Sequence, residues 1–175
     1  MFFLHGFKLF GRKRNQVFGG QSGSIGSPVK GQIEESRDGG QPMAVIYPEE
    51  ERIYAPTAGK VTRIYPLGNA FLFQTDAGVE LYIQVGNSED ELLGRYYRPR
   101  VLQNEIVCEH KLLLEFDRAG LAKEGIYPRV TVRVLNSICD KTILPVSEGQ
   151  QIAMGEDIFK IYQYSGKLQM DLVSD

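Results

Sequence analysis

Histidine and cysteine are scarce in this chain, and their scarcity excludes more functions than any single residue present in it suggests. The two histidines, His5 and His110, cannot supply a multi-histidine metal centre. Metallohydrolases are thereby excluded, including peptidases of related β-fold that need several histidine ligands. The two cysteines, Cys108 and Cys139, have no CxxC spacing and no histidine pair nearby, so neither a zinc site nor a redox motif is indicated, and a reducing compartment fits. No metal and no cofactor is expected. Excess basic charge is lacking too: the formal net charge is −2, and no basic field argues for nucleic acid as a partner. Nowhere does the chain reach the ~20 consecutive apolar residues of a membrane-spanning helix. The mainly apolar start, Phe2 to Phe10, precedes the basic run Arg12 to Arg14, the reverse of a signal peptide.

What is present points to strands. With 175 residues, 42% of them hydrophobic, the chain can bury one well-formed core, and its 19 glycines with few helical apolar repeats favour short strands joined by turns. We expect an amphipathic basic segment over 1–14, a linker over 15–24 whose glycines and polar residues give it flexible composition, one β domain over 25–164, and a tail over 165–175. In helical form the first segment places Phe3, Phe7 and Phe10 on one face, which suits an anionic membrane surface.

The clearest pattern runs from Tyr54 to Gly86. Lys60 to Tyr65 alternates, with Val61, Arg63 and Tyr65 expected on one side and Lys60, Thr62 and Ile64 on the other. Ala70 to Thr75 and Val79 to Val85 read as two further strands around the turn Asp76-Ala77-Gly78, a hairpin signal. SPVKGQI (Ser27 to Ile33) repeats the form of APTAGKV (Ala55 to Val61), which suggests an internal duplication, with Gly31 and Gly59 expected to supply positive φ at a turn. APTAGKV also opens biotinyl and lipoyl carrier domains. Such carriers need a modifiable lysine in an exposed hairpin, and this hairpin has none. Further along, Leu112 to Phe116 reads as a buried strand and Asp117 as the cap of a short helix closed by Gly125. Arg95, Arg98 and Arg100 with Tyr96 and Tyr97 form a basic and aromatic cluster, expected to be a plain surface loop for want of a phosphate-binding glycine loop.

The series AP-x-x-G-K-V (Ala55 to Val61), N-A-F (Asn69 to Phe71) and G-V-E-L-Y-I-x-V-G (Gly78 to Gly86) resembles the glucose-type IIA components of the bacterial phosphoenolpyruvate-dependent sugar phosphotransferase system. The resemblance spans about Ile25 to Ile161. It implies an all-β fold, a flattened antiparallel barrel or sandwich with a duplicated hybrid motif and one short helix. It also implies a phosphoryl-accepting histidine beside a helper histidine. Those two positions fall on Gln84 and Asn69. An amide nitrogen has no basic lone pair with which to attack phosphorus, whereas it keeps the hydrogen-bonding reach of imidazole. Leu67, Ser88 and Glu89 depart from the family pattern around the same site. By physics alone Asn69 and Gln84 are ordinary strand residues on a solvated face; the resemblance singles them out.

The expectation is therefore a glucose-type IIA-like protein that does not accept phosphate. It binds a protein partner, whether a phosphotransferase component, a transporter or a regulator, through Asn69, Gln84 and an apolar rim of Phe71 and Val85. A cytoplasmic placement follows, at the inner face of the membrane where residues 1–14 engage it. Two alternatives stand beside this one. The first is an active phosphoryl carrier using Cys108, Cys139, Ser88 or Tyr82, and the second is a membrane-associated structural β module.

Overall fold

The computed structural model describes residues 18–38, 41–87, 91–138 and 141–164. The basic segment 1–14, the tail 165–175, Ser88, Glu89 and Cys139 lie outside the described residues. In chain order the strands are β1 (Phe18–Gly26), β2 (Gly31–Asp38), β3 (Gln41–Pro48), β4 (Arg52–Tyr54), β5 (Gly59–Ile64), β6 (Ala70–Thr75) and β7 (Glu80–Val85). A 3-10 helix over Glu91–Tyr96 leads to β8 (Tyr97–Pro99), β9 (Ile106–Val107) and β10 (Leu112–Phe116). Helix α1 (Arg118–Lys123), β11 (Val130–Val134), β12 (Lys141–Pro145), β13 (Gln151–Ile152) and β14 (Asp157–Tyr164) complete the series. Among the described residues no helix is long and apolar enough to cross a membrane.

All pairings are antiparallel, in an eight-stranded sheet of order β13-β2-β3-β11-β7-β6-β5-β9 and two three-stranded sheets, β4-β10-β8 and β1-β14-β12. The large sheet ends in two short edge strands, and no closed barrel forms among the described residues. A sandwich is the form taken. Its core lies on one face of that sheet, where Phe71, Phe73, Leu81, Ile83, Val130 and Val132 are fully buried against residues such as Leu113, Leu114 and Phe159. Each such side chain stabilises the fold by about 1.5–3 kcal/mol relative to remaining in water.

The hairpin β6–β7 forms as the turn residues require: Gly78 has φ +82°, and its N–H donates to the Thr75 carbonyl at 2.9 Å. The Asp117 carboxylate accepts from the Gly120 N–H at 2.7 Å and so caps α1, while Gly125 at φ +75° follows its end. Two expectations need correction. Strand β1 begins at Phe18, inside the stretch expected to be linker, because β14 pairs with it from Tyr164 to Asp157 and satisfies a backbone that its glycines leave without propensity of its own. Neither Gly31 nor Gly59 has positive φ. Each is glycine because another strand passes close by: a Cβ would collide with the Tyr47 carbonyl at Gly31 and with the Gln74 carbonyl at Gly59.

The two Pro-x-x-Gly segments bind each other reciprocally. Gly26 N–H donates to the Pro56 carbonyl at 3.1 Å, and Tyr54 N–H donates to the Pro28 carbonyl at 2.8 Å. Beyond them, Ser27 and Ile33 donate to Glu156 and Gln150, just as Ala55 and Val61 donate to Lys111 and Glu105.

Candidate functional site

Asn69 and Gln84 lie on adjacent strands at the open end of the β6–β7 hairpin, offset by one residue in register. Ala70 is the cross-strand partner of Gln84, and the Asn69 carbonyl accepts from the Val85 N–H at 2.9 Å. Asn69 is buried, and its Nδ2 donates to the Val85 carbonyl at 3.3 Å. The Asn69 amide therefore clamps the two strands together, a structural duty that strand alternation did not reveal. Gln84 is half-buried and lies opposite Thr131 of β11, on the face of the large sheet away from the core.

Cross-strand register builds the surroundings of Gln84. On its face, Leu72 stands opposite Tyr82, and Tyr82 opposite Arg133. Tyr65, just beyond β5, meets Tyr82 edge-on with ring centroids 5.6 Å apart, and the Arg63 guanidinium lies 5.0 Å from the Tyr65 centroid. Arg133 Nη2 lies 3.6 Å from Met43 Sδ, and β12 packs against β3 on this side, which buries Met43 and Val45 and leaves β5 to β11 as an open shelf. Such a shelf suits docking of a surface better than enclosure of a small molecule.

Several sequence expectations change here. Phe71 and Val85 do not rim the shelf: both are fully buried on the core side, because Ala70 and Gln84 alternate with them. Their half-buried counterparts on the shelf face are Leu72 and Tyr82. A register shift between Val61 and Arg63 interrupts the β5 alternation, so Val61 enters the core while Arg63 turns to the shelf, and the Thr62 hydroxyl donates to the Leu72 carbonyl at 3.2 Å. Sequence reasoning missed Arg63, Tyr65 and Arg133 as members of this face. A bulge leaves little trace in residue type, whereas the alternation of Val130, Val132 and Val134 with Thr131 and Arg133 is a signal that could have found Arg133.

The basic and aromatic cluster in and after the 3-10 helix disperses. Arg95 donates to Glu124 at 2.6 Å, as does the Tyr96 hydroxyl at 2.7 Å; Arg100 Nε donates to Glu115 at 2.7 Å and holds that carboxyl below its usual range. Tyr97 is buried under Gly86, whose Cβ, were there one, would stand 2.9 Å from the Tyr97 hydroxyl. Among the described residues that hydroxyl has no hydrogen-bond partner, and burial pushes the phenol up to about 12. Of the alternative nucleophiles, Tyr82 shares the shelf, while Cys108 is exposed in the turn after β9. Among the described residues no three histidine, cysteine or carboxylate side chains are grouped to hold a metal ion.

The family described as phosphoenolpyruvate-dependent sugar phosphotransferase system, EIIA 1, matches residues 24–138. The chain is 31% identical over 105 residues to the PTS system beta-glucoside-specific EIIBCA component of Dickeya chrysanthemi, which covers 60% of this chain and 17% of that protein. It is 25% identical over 161 residues to the PTS system glucose-specific EIIA component of Halalkalibacterium halodurans, covering 85% of this chain and 92% of that one. The chain thus spans a minor part of the EIIBCA relative's length and nearly all of the EIIA relative's. A solved structure, the glucose permease IIA from Mycoplasma capricolum, superposes with a TM-score of 0.66 at 23% identity, over 79% of this chain and 94% of that one. That likeness shows the fold.

Proposed function

Because this chain belongs to the EIIA 1 family of the phosphoenolpyruvate-dependent sugar phosphotransferase system, we propose that it is a glucose-type EIIA-like protein that binds partners without accepting phosphate. One observation carries the proposal: Gln84, an amide, stands where the resemblance puts the phosphoryl acceptor, with a second amide, Asn69, one residue away in register. No imidazole is available there to attack phosphorus. What remains is a half-exposed polar group on a shelf of apolar and aromatic side chains, which supports recognition of a protein surface.

The relatives' names, EIIBCA and glucose-specific EIIA, favour another phosphotransferase component as the partner, with a transporter or a regulator of transport as the other choices. In this reading the protein works in the cytoplasm, and residues 1–14 hold it against the anionic inner face of the membrane. The reciprocal bonds of the two Pro-x-x-Gly segments are read as two copies of one motif.

The test is direct. Incubated with phosphoenolpyruvate and the two general phosphotransferase proteins, the purified chain gains no mass. A stoichiometric gain of one phosphate would defeat the proposal, and Tyr82→Phe would then show whether the phenol on the same shelf carries it.

A further inference from the structure

Among the described side chains of β5, β6, β7 and β11, the shelf around Gln84 carries more cations than anions, against the sign of the whole molecule. The whole chain carries a net charge of −2. Across β5, β6, β7 and β11, however, strand register places Lys60, Arg63 and Arg133 on the shelf face, with Glu80 as the acidic residue among the described side chains there. Lys60 lies opposite Gln74, and Gln74 opposite Glu80, so the acid stands at one end of the shelf, toward the hairpin turn. The two arginines flank Leu72 and Tyr82 in a single cross-strand row. Excess cations on an otherwise acidic protein focus attraction on this face.

The cations are also held in place. Arg63 lies over Tyr65, Tyr65 abuts Tyr82, and Arg133 leans on Met43, so less side-chain entropy remains to be lost when a partner is engaged. Tyrosine, arginine and methionine are the residue types that concentrate at the centres of protein interfaces. Beside them Ile106 of β9, cross-strand partner of Lys60, is 80% exposed and widens the apolar contact at the sheet edge.

Resting on the reading that this face binds rather than reacts, we infer that its partner presents an acidic protein surface. Carboxylates meet Lys60 and Arg63, and an apolar side chain lies on Leu72 and Tyr82. Gln84 at the centre of the shelf hydrogen-bonds a backbone group of the partner, a contact that an amide makes through either its donor or its acceptor.

The experiment titrates the isotopically labelled full chain with a short synthetic peptide of alternating glutamate and leucine, and separately with its lysine and leucine counterpart, following backbone amide resonances. The acidic peptide is expected to give saturable shifts at Lys60, Arg63, Leu72, Tyr82, Gln84 and Thr131, weakening as salt is raised. Arg63→Glu, at an exposed position that tolerates the change, weakens binding at least tenfold, whereas Lys123→Glu on α1 leaves it unaltered. If the lysine peptide shifts the same residues and the glutamate peptide does not, the face still docks but its acidic partner is ruled out. If neither peptide perturbs the shelf, the inference fails together with the docking role of the face. Phosphate uptake in the mass measurement overturns only the inert-site reading.

Discussion

Tyr97 is the residue whose cost to the fold is easiest to isolate. Its ring is buried while its hydroxyl meets no acceptor among the described residues, which leaves a desolvated polar group with no compensating bond there. Tyr97→Phe should leave stability at neutral pH unchanged or raise it by up to ~1 kcal/mol, measured by urea unfolding. The pH dependence gives a second check. With the folded phenol raised to about 12, the unfolded chain loses its proton first, so stability falls as the pH climbs from about 10 toward 12. That slope is about 1.4 kcal/mol per pH unit for one group, and Tyr97→Phe should remove it from the wild-type curve. An identical slope in both proteins would show that the burial of Tyr97 has no such effect. At this scale the sequence was partly legible. Asn69 and Gln84 could be singled out from motif spacing, and the hairpin places them on adjacent strands one residue apart in register; that Asn69 clamps Val85 could not be read, since an asparagine before a strand looks the same whether its amide meets solvent or a carbonyl.

Among the elements, those with local punctuation were legible and those made by distant partners were not. The β6–β7 hairpin announces itself in Asp76-Ala77-Gly78, and α1 in Asp117 and Gly125. By contrast β1 is glycine-rich and becomes a strand only against β14, at the other end of the chain. The bulge in β5 likewise depends on how β6 receives it, and it redirects Arg63. Gly31 and Gly59 were legible as special positions but for the wrong reason, because close approach of another strand leaves the same mark in the sequence as a left-handed turn. The distinction can be measured. Gly59→Ala drives a methyl into the Gln74 carbonyl and the Phe73 ring, and Gly31→Ala into the Tyr47 carbonyl. Each should cost about 2–3 kcal/mol in chemical denaturation. A loss below ~0.5 kcal/mol at either position would mean that the strands separate easily there.

For the whole molecule, composition, alternation and turn spacing were enough to expect a mainly β chain, and the family resemblance implied the antiparallel sandwich, yet neither disclosed the order of strands in the large sheet. That order brings β11 between β3 and β7, so the shelf face is assembled from strands far apart in sequence. The matched bonds of the two Pro-x-x-Gly segments have a further consequence, which concerns the time course by which the native state is reached. β5 is bridged to β9 across about 50 residues of chain, whereas β2 is bridged to β13 across about 120, through the same kind of two-residue pairing. Loop-closure entropy alone favours the shorter bridge by ~0.8 kcal/mol. Two geometrically alike clasps should therefore fasten in sequence, with β5–β9 formed in the rate-limiting transition state and β2–β13 following it. Truncating the buried apolar residue of each clasp tests this: Val107→Ala should slow refolding, and Ile152→Ala should chiefly hasten unfolding. The opposite pattern would mean that the chain closes its longest loop first.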